Sequence, residues 1–160
     1  MIKKVAVIVA LVMVASLSVA GCLNSNTKTT SSNIGSNNNP AVSLTVNSVT
    51  TSSDLAKYPF ESTAAPGNKF VVVDLTLTNL NKNDLYMGNS LYFRLITNDG
   101  AVYSYSTRAD ILLNNTLEDQ FHTNPGDTVT GQVPFEIPQS ATPASLRYSD
   151  SYNPPVTTNL

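Results

Sequence analysis

The sequence predicts an all-β protein with an immunoglobulin-like β-sandwich, and three observations support this fold class. Apolar and polar residues alternate with a period of two in several short segments, turn residues separate those segments, and no long segment has helical periodicity. A chain of 160 residues has room for one ordinary domain. Strands with one apolar face must bury that face against a second sheet, so we expect a two-sheet sandwich over residues 41–152.

Three segments alternate strongly enough to identify the expected core, at residues 42–46, 70–79 and 129–137. Pro134 interrupts the last of these segments and has no N–H to donate, which places its strand at a sheet edge or at a bulge. The residues expected to face the interior are Val42, Leu44, Val46, Val71, Val73, Leu75, Leu77, Val129, Gly131, Val133, Phe135 and Ile137.

A β-hairpin is predicted in the middle of the chain. Leu91, Phe93 and Leu95 are expected on one face of its first strand, and a second strand follows at residues 101–105. Asp99-Gly100 separates the two, and Asp-Gly between apolar runs is a strong hairpin signal because glycine adopts positive φ without strain.

Weaker signals complete the predicted elements. A short strand is expected at residues 146–148 and a single helical turn at 109–115. Residues 153–160 lack a clear pattern, and we expect them to form a C-terminal tail.

The N-terminus has the pattern of a secretory signal. Lys3 and Lys4 precede an apolar run over residues 5–19, which is shorter than the roughly 20 residues that a membrane-spanning helix needs. Val19-Ala20-Gly21-Cys22 then resembles the lipobox of prokaryotic lipoproteins, in which the cysteine is lipidated and becomes the first residue. We expect a signal peptide over 1–21 and a lipid on Cys22 that holds the chain on the extracytoplasmic face of the cell membrane. An uncleaved anchor helix is the alternative.

Residues 22–40 join this anchor to the predicted domain. They are mostly Asn, Ser, Thr and Gly, a composition that buries too little apolar area to offset the entropy of ordering. We therefore expect a disordered linker.

Composition excludes several classes of function. Charged residues make up 12% of the chain, the formal net charge is −2, and no basic cluster exists outside the N-terminus, so nucleic acid is not an expected partner. One Cys excludes an intrachain disulfide and a thiolate-rich metal site, and one His leaves few ways to build a catalytic site. No nucleophile-elbow motif is present. We expect neither enzymatic activity nor a cofactor.

Two polar segments superficially resemble cation sites. A calcium-binding loop that began at Asn79 would require Gly at position 84 and Glu at position 90, but the chain has Asp84 and Ser90 there. A polar loop between strands is therefore the better interpretation. Glu118 and Asp119 are expected in a solvated acidic loop. His122 lacks the additional ligands that a copper site needs.

Tyrosines are numerous and supply the candidate binding surface, because tyrosine joins apolar area to a hydroxyl and is enriched at interfaces. The candidates are Tyr86, Tyr92, Tyr103 and Tyr105, with the alternative that they fill the edges of the sandwich. Asn114 begins an N-glycosylation sequon and is a candidate modification site.

Several motifs occur in a fixed order over residues 41–152. They are 66–79, Phe93-Arg94-Leu95, Asp99-Gly100, Pro125-Gly126, Val129, Gly131, Phe135 and Ile137-Pro138. Their order and spacing resemble the uncharacterised telokin-like domain of bacterial and archaeal lipoproteins, a family related in fold to a secreted mycobacterial antigen. The resemblance implies a sandwich architecture and a surface location, but no catalytic residues.

The function expected from the sequence is that of a membrane-anchored module that binds another cell-envelope component, either a protein or a glycan. The alternative is a lipoprotein that binds a small molecule or an ion for a transporter or sensor, which would need a concave pocket.

The anchor gives the first testable prediction. Mass spectrometry of the protein purified from membranes should find lipid on Cys22 and no residues before it. A free, unmodified Cys22 in the membrane fraction would contradict the lipoprotein assignment.

Overall fold

A computed structural model describes residues 41–57, 59–88, 90–117, 120–151 and 153–160. Several predictions lie outside these residues. They concern the signal peptide at 1–21, its lipobox residues Val19, Ala20 and Gly21, the lipidated Cys22, the linker over 22–40, and the acidic pair Glu118 and Asp119.

The described residues form eleven strands, one four-residue α-helix and one 3-10 turn at Ser90–Tyr92. None of their helices is long and apolar enough to span a lipid bilayer. The elements are β1 (Val42–Ser52), β2 (Asp54–Lys57), β3 (Phe60–Thr63), β4 (Asn68–Asn79), β5 (Leu85–Gly88), β6 (Phe93–Thr97), β7 (Val102–Ser104), α1 (Thr107–Asp110), β8 (Gln120–Thr123), β9 (Thr128–Pro138), β10 (Pro143–Tyr148) and β11 (Val156–Asn159).

Two principal sheets pack against each other as a β-sandwich, which confirms the predicted fold class. One has three strands in the order β1-β4-β9, and the other has four strands in the order β11-β10-β6-β7. Two small two-stranded sheets, β2-β3 and β5-β8, complete the domain. One apolar core lies between the principal sheets and receives side chains from both.

Strand β4 is the centre of the three-stranded sheet and pairs antiparallel with β1 on one side and β9 on the other. Val71, Val73, Leu75 and Leu77 are fully buried on its inner face, as the alternation predicts. Burying an aliphatic side chain contributes about 1.5–3 kcal/mol, so this row is a large part of the driving force for folding.

Strand β9 lies at the edge of its sheet, as Pro134 predicts. The segment over residues 105–117 covers this edge, because the Ser106 N–H donates to the Pro134 carbonyl at 2.8 Å and the Gln132 N–H donates to the Asn115 carbonyl at 2.6 Å. Covering the edge satisfies backbone groups that would otherwise be free to pair with another chain.

The Asp99-Gly100 hairpin is present between β6 and β7, with Gly100 at a φ of 82°. Phe93 and Leu95 are buried as expected, but Leu91 is not, because it belongs to the 3-10 turn and is 55% exposed. The predicted helical turn also begins earlier than expected, at Thr107, because the Ser106 side chain caps it by accepting from the Ala109 N–H.

The prediction that the domain ends at residue 152 is wrong. Val156–Asn159 forms β11, which pairs antiparallel with β10 and buries Val156 and Thr158. Sequence alternation missed this strand because only one of its two buried residues is apolar, and because Pro154 and Pro155 precede it.

A smaller cluster lies on the other face of the three-stranded sheet, where Ala64, Phe70 and Ala109 are buried together. Glu136 holds this region by accepting from the Ala65 N–H at 2.7 Å, the Asn68 amide at 3.2 Å and Arg108 at 2.7 Å. Burial raises the pKa of the Glu136 carboxyl, but these donors and the positive charge of Arg108 outweigh burial and hold that pKa below its usual value.

The inner faces give a second testable prediction. Phe135→Asp should lower the free energy of unfolding by at least about 3 kcal/mol, because Phe135 is fully buried and the new carboxylate would have no partner. Thr128→Asp places the same group on an exposed position of the same strand and should leave thermal unfolding nearly unchanged. Equal melting temperatures for the two variants would show that the strand faces are assigned wrongly.

Candidate functional site

The outer face of the four-stranded sheet is the candidate binding surface. Phe93, Leu95, Leu146 and Tyr148 point into the core, so the residues that alternate with them face away from it. We call the following residues the outer face: Tyr92, Arg94, Ile96, Val102, Ser104, Ser145, Arg147, Ser149, Thr157 and Asn159.

Strand register places two arginines side by side in the middle of the outer face. Arg94 on β6 lies directly opposite Arg147 on β10. Ser104 on β7 is the other neighbour of Arg94, and Thr157 on β11 is the other neighbour of Arg147. Two like charges in directly opposed cross-strand positions destabilise a sheet, so this arrangement is not explained by stability.

The two guanidinium groups differ in their surroundings. Arg94 Nη1 donates to the carbonyls of Leu91 at 2.6 Å and Phe93 at 2.7 Å, which holds the side chain against the 3-10 turn and the start of β6. Its remaining N–H groups are left for other acceptors, because a guanidinium carries five donors. The Arg147 side chain is exposed and makes no hydrogen bond or ion pair with any described residue.

Charge is distributed unevenly over the domain. Residues 41–160 contain all eleven acidic residues of the chain and six of its Lys and Arg residues. None of the nine acidic residues that the structure describes belongs to the outer face. The acidic residue next in sequence to it, Asp150, accepts hydrogen bonds from the Tyr148 hydroxyl and from Asn153. The outer face is therefore a cationic surface on an acidic domain.

Apolar side chains adjoin the arginines. Tyr92, Ile96 and Val102 line a shallow, open depression of about 240 Å³ together with Arg94, Arg147 and Ser149. Val102 is 60% exposed, and several other large hydrophobic side chains of the domain are exposed too, but Val102 lies directly beside the arginine pair. A second depression of about 220 Å³ lies near Asp99, Tyr103 and Thr142. Both are smaller than the roughly 300–1,000 Å³ of typical small-molecule sites.

The structure does not bring the four candidate tyrosines together on one face. Tyr92 packs in part against the core and also lines the depression beside the arginines, whereas Tyr103 is paired with the fully buried Leu95 and points toward the core side of the same sheet. Tyr105 is half-buried where it pairs with Phe135, and Tyr86 is exposed on the small β5-β8 sheet. Only Tyr92 adjoins the arginine pair.

Asn114 is exposed in the segment between α1 and β8, so the sequon is accessible. Its third residue, Thr116, forms an isolated bridge with Gln132 of β9. Modification of Asn114 remains a prediction.

His122 and the loop after β4 form no metal centre in the part of the chain that the structure describes. His122 Nε2 lies 3.4 Å from Asp84 Oδ2, and its ring contacts the Tyr86 ring with centroids 5.2 Å apart. The described residues contain no group of three or more His, Cys, Asp or Glu side chains that could hold a metal ion.

The loop that superficially resembles a calcium site is organised by one buried amide instead. Asn79 Oδ1 accepts from the Asn81 N–H at 2.8 Å, and Asn79 Nδ2 donates to the carbonyls of Asn83 and Thr123, each at 3.1 Å. The Asn79 side chain is thereby committed to shaping the turn.

Comparison with known sequences decides the family. Residues 32–155 match the family described as Domain of unknown function (DUF4352), which is more than half of the chain. The chain belongs to this family. No curated protein matches the sequence.

Solved structures share the fold at low sequence identity. A conserved hypothetical protein from Bacillus anthracis is 12% identical with a TM-score of 0.52, and the match covers 80% of this chain and 94% of that one. A candidate lipoprotein, ycdA of Bacillus subtilis, is 18% identical with a TM-score of 0.57 over 82% of this chain and 38% of its own. The secreted MPT63 of Mycobacterium tuberculosis is 16% identical with a TM-score of 0.44 over 71% of this chain and 80% of its own.

Sequence reasoning missed the arginine pair, although both residues occupy polar positions of correctly predicted strands. Arg94 and Arg147 are 53 positions apart, and only the register between β6 and β10 places them together. A search for isolated cations at outward positions of predicted strands could have identified both candidates.

A third prediction follows from the opposed charges. Arg147→Gln should raise the free energy of unfolding by about 0.2–1 kcal/mol at low ionic strength, because it removes repulsion with Arg94. Urea unfolding should show that this gain shrinks in high salt, which screens the repulsion.

Lys82→Gln is the matched control, because it removes one positive charge from an exposed loop position and should give no gain. Arg147→Gln less stable than Lys82→Gln at low salt would contradict the assigned repulsion.

Proposed function

We propose that this protein is a lipid-anchored extracytoplasmic module whose immunoglobulin-like domain binds another protein of the cell envelope. The outer face of the four-stranded sheet is the binding surface. The single observation that carries this proposal is the opposed pair of Arg94 and Arg147, which costs stability and has no carboxylate partner among the described residues.

The location rests on the N-terminal sequence. The charged segment, the apolar run and the lipobox ending at Cys22 together form the pattern of a secreted lipoprotein. The description of the similar Bacillus subtilis protein ycdA as a candidate lipoprotein supports the same interpretation. The resemblance of the motifs over residues 41–152 to telokin-like lipoprotein domains is also consistent with an extracytoplasmic location.

The composition of the outer face favours macromolecular binding. Arginine and tyrosine are enriched in protein interfaces, and exposed aliphatic side chains beside them add apolar area that becomes buried on association. A small-molecule carrier would need a deeper pocket than either described depression, so the outer face favours the binding of a larger partner.

Site-specific photocrosslinking in intact cells tests the proposal. A photoreactive residue at Val102, on the outer face, should give one dominant adduct with an envelope protein. The same residue at Thr128, an exposed position of the opposite principal sheet, is the matched control and should give little of that adduct. No adduct from Val102, or equal adducts from both positions, would contradict binding through the outer face.

A further inference from the structure

We infer that the partner presents an acidic protein segment, and that its carboxylates bind between Arg94 and Arg147 while its apolar side chains cover Ile96 and Val102. This inference rests on the proposed function, because it names the chemistry of the partner at the same surface. It depends on the charge, register and exposure of the outer face.

Charge complementarity points to an anion. The outer face holds two guanidinium groups and none of the nine carboxylates among the described residues, although acidic residues outnumber Lys and Arg over residues 41–160. Arg147 is exposed without a described partner, and Arg94 has donors left beyond its two carbonyl contacts. A carboxylate that lies between two arginines accepts from both and removes their mutual repulsion.

The neighbouring side chains distinguish a protein from an anionic polymer. Ile96 is paired with Val102 in the row adjacent to the arginines, so aliphatic groups lie one cross-strand row away from the cations. A polyphosphate or an acidic glycan offers no aliphatic side chains to cover Val102. Sugar rings favour exposed aromatic faces, but Tyr92 is half-buried and is the only aromatic among the outer-face residues.

Hydroxyl and amide groups extend the surface along both rows. In the cross-strand row of the arginine pair, Ser104 lies beside Arg94 and Thr157 beside Arg147. In the second row, which contains Val102 and Ile96, Ser145 and Asn159 lie on the far side of Ile96. These groups can donate to further carboxylates or to backbone carbonyls of an extended segment. An extended segment with an acidic residue at one position and an aliphatic residue two positions further along presents both side chains to these two rows, because alternate residues of an extended chain face the same way.

Fluorescence anisotropy with the full lipidated chain in nonionic detergent tests this inference. The probe is a labelled ten-residue peptide in which Glu and Val alternate at the odd positions and Ser occupies the even positions, so that one face of the extended peptide carries both Glu and Val. Its matched control replaces every Glu with Gln. We expect the acidic peptide to bind and the Gln peptide to bind at least about tenfold more weakly. Arg147→Gln should weaken binding of the acidic peptide about tenfold, whereas Lys82→Gln should leave it unchanged.

Two results would overturn the inference. One is an acidic peptide that binds no better than its Gln form or that is insensitive to Arg147→Gln. The other is tighter binding of poly(glycerol phosphate) or of phosphatidylglycerol vesicles with the same dependence on Arg147, which would identify an anionic polymer or the membrane surface as the occupant.

The crosslinking result separates this inference from the proposed function. A protein adduct at Val102 together with failed peptide binding means that the outer face binds a partner of different chemistry. Peptide binding without any adduct at Val102 in cells means that the proposed function is wrong.

Discussion

The inner face of β4 is apolar and is removed from water only when a second sheet covers it; its residues are Val71, Val73, Leu75 and Leu77. The remaining architecture follows from that requirement. Both lateral edges of β4 are used by β1 and β9, so the covering layer must come from another sheet. The four-stranded sheet supplies it with Phe93 and Leu95 and with the inner residues of β10 and β11. Each strand of that sheet then has one face committed to the core and one face turned away from it.

The two principal sheets differ in how their outer faces are used. The three-stranded sheet is partly covered, because Phe70 packs with Ala64 and Ala109, and Glu136 ties this region to Arg108. The four-stranded sheet has no comparable cover over Arg94 and Arg147 among the described residues. Stability therefore explains the first outer face, whereas the opposed charges of the second are better explained by a role in binding.

The sequence pattern correctly predicted those strands and turns that are specified by residues close together in the chain. The alternation in β4 and β9 identified their buried faces, Asp99-Gly100 identified the hairpin, and Pro134 identified an edge. The strand at Val156–Asn159 was missed, because one of its two buried residues is Thr158 and its strand character depends on pairing with β10.

The candidate site was less predictable than the fold for a physical reason. Tyrosine content suggested a binding surface, but the face on which each ring lies depends on strand register and on local turns, which composition does not encode. The pairing of Arg94 with Arg147 requires knowledge of which strands are neighbours, and β6 and β10 are separated by three other strands in sequence. Long-range register was thus the missing information.

Arginine-selective chemical labelling tests the central claim most directly, namely that the outer face is occupied in the cell. Phenylglyoxal modification of Arg147 should be slower in intact cells than in the purified full-length protein. Arg108, which lies near the other principal sheet and has a half-exposed side chain, should react at a similar rate in both preparations. Equal protection of both arginines, or an Arg147 that reacts as fast in cells as in the purified protein, would contradict an occupied outer face.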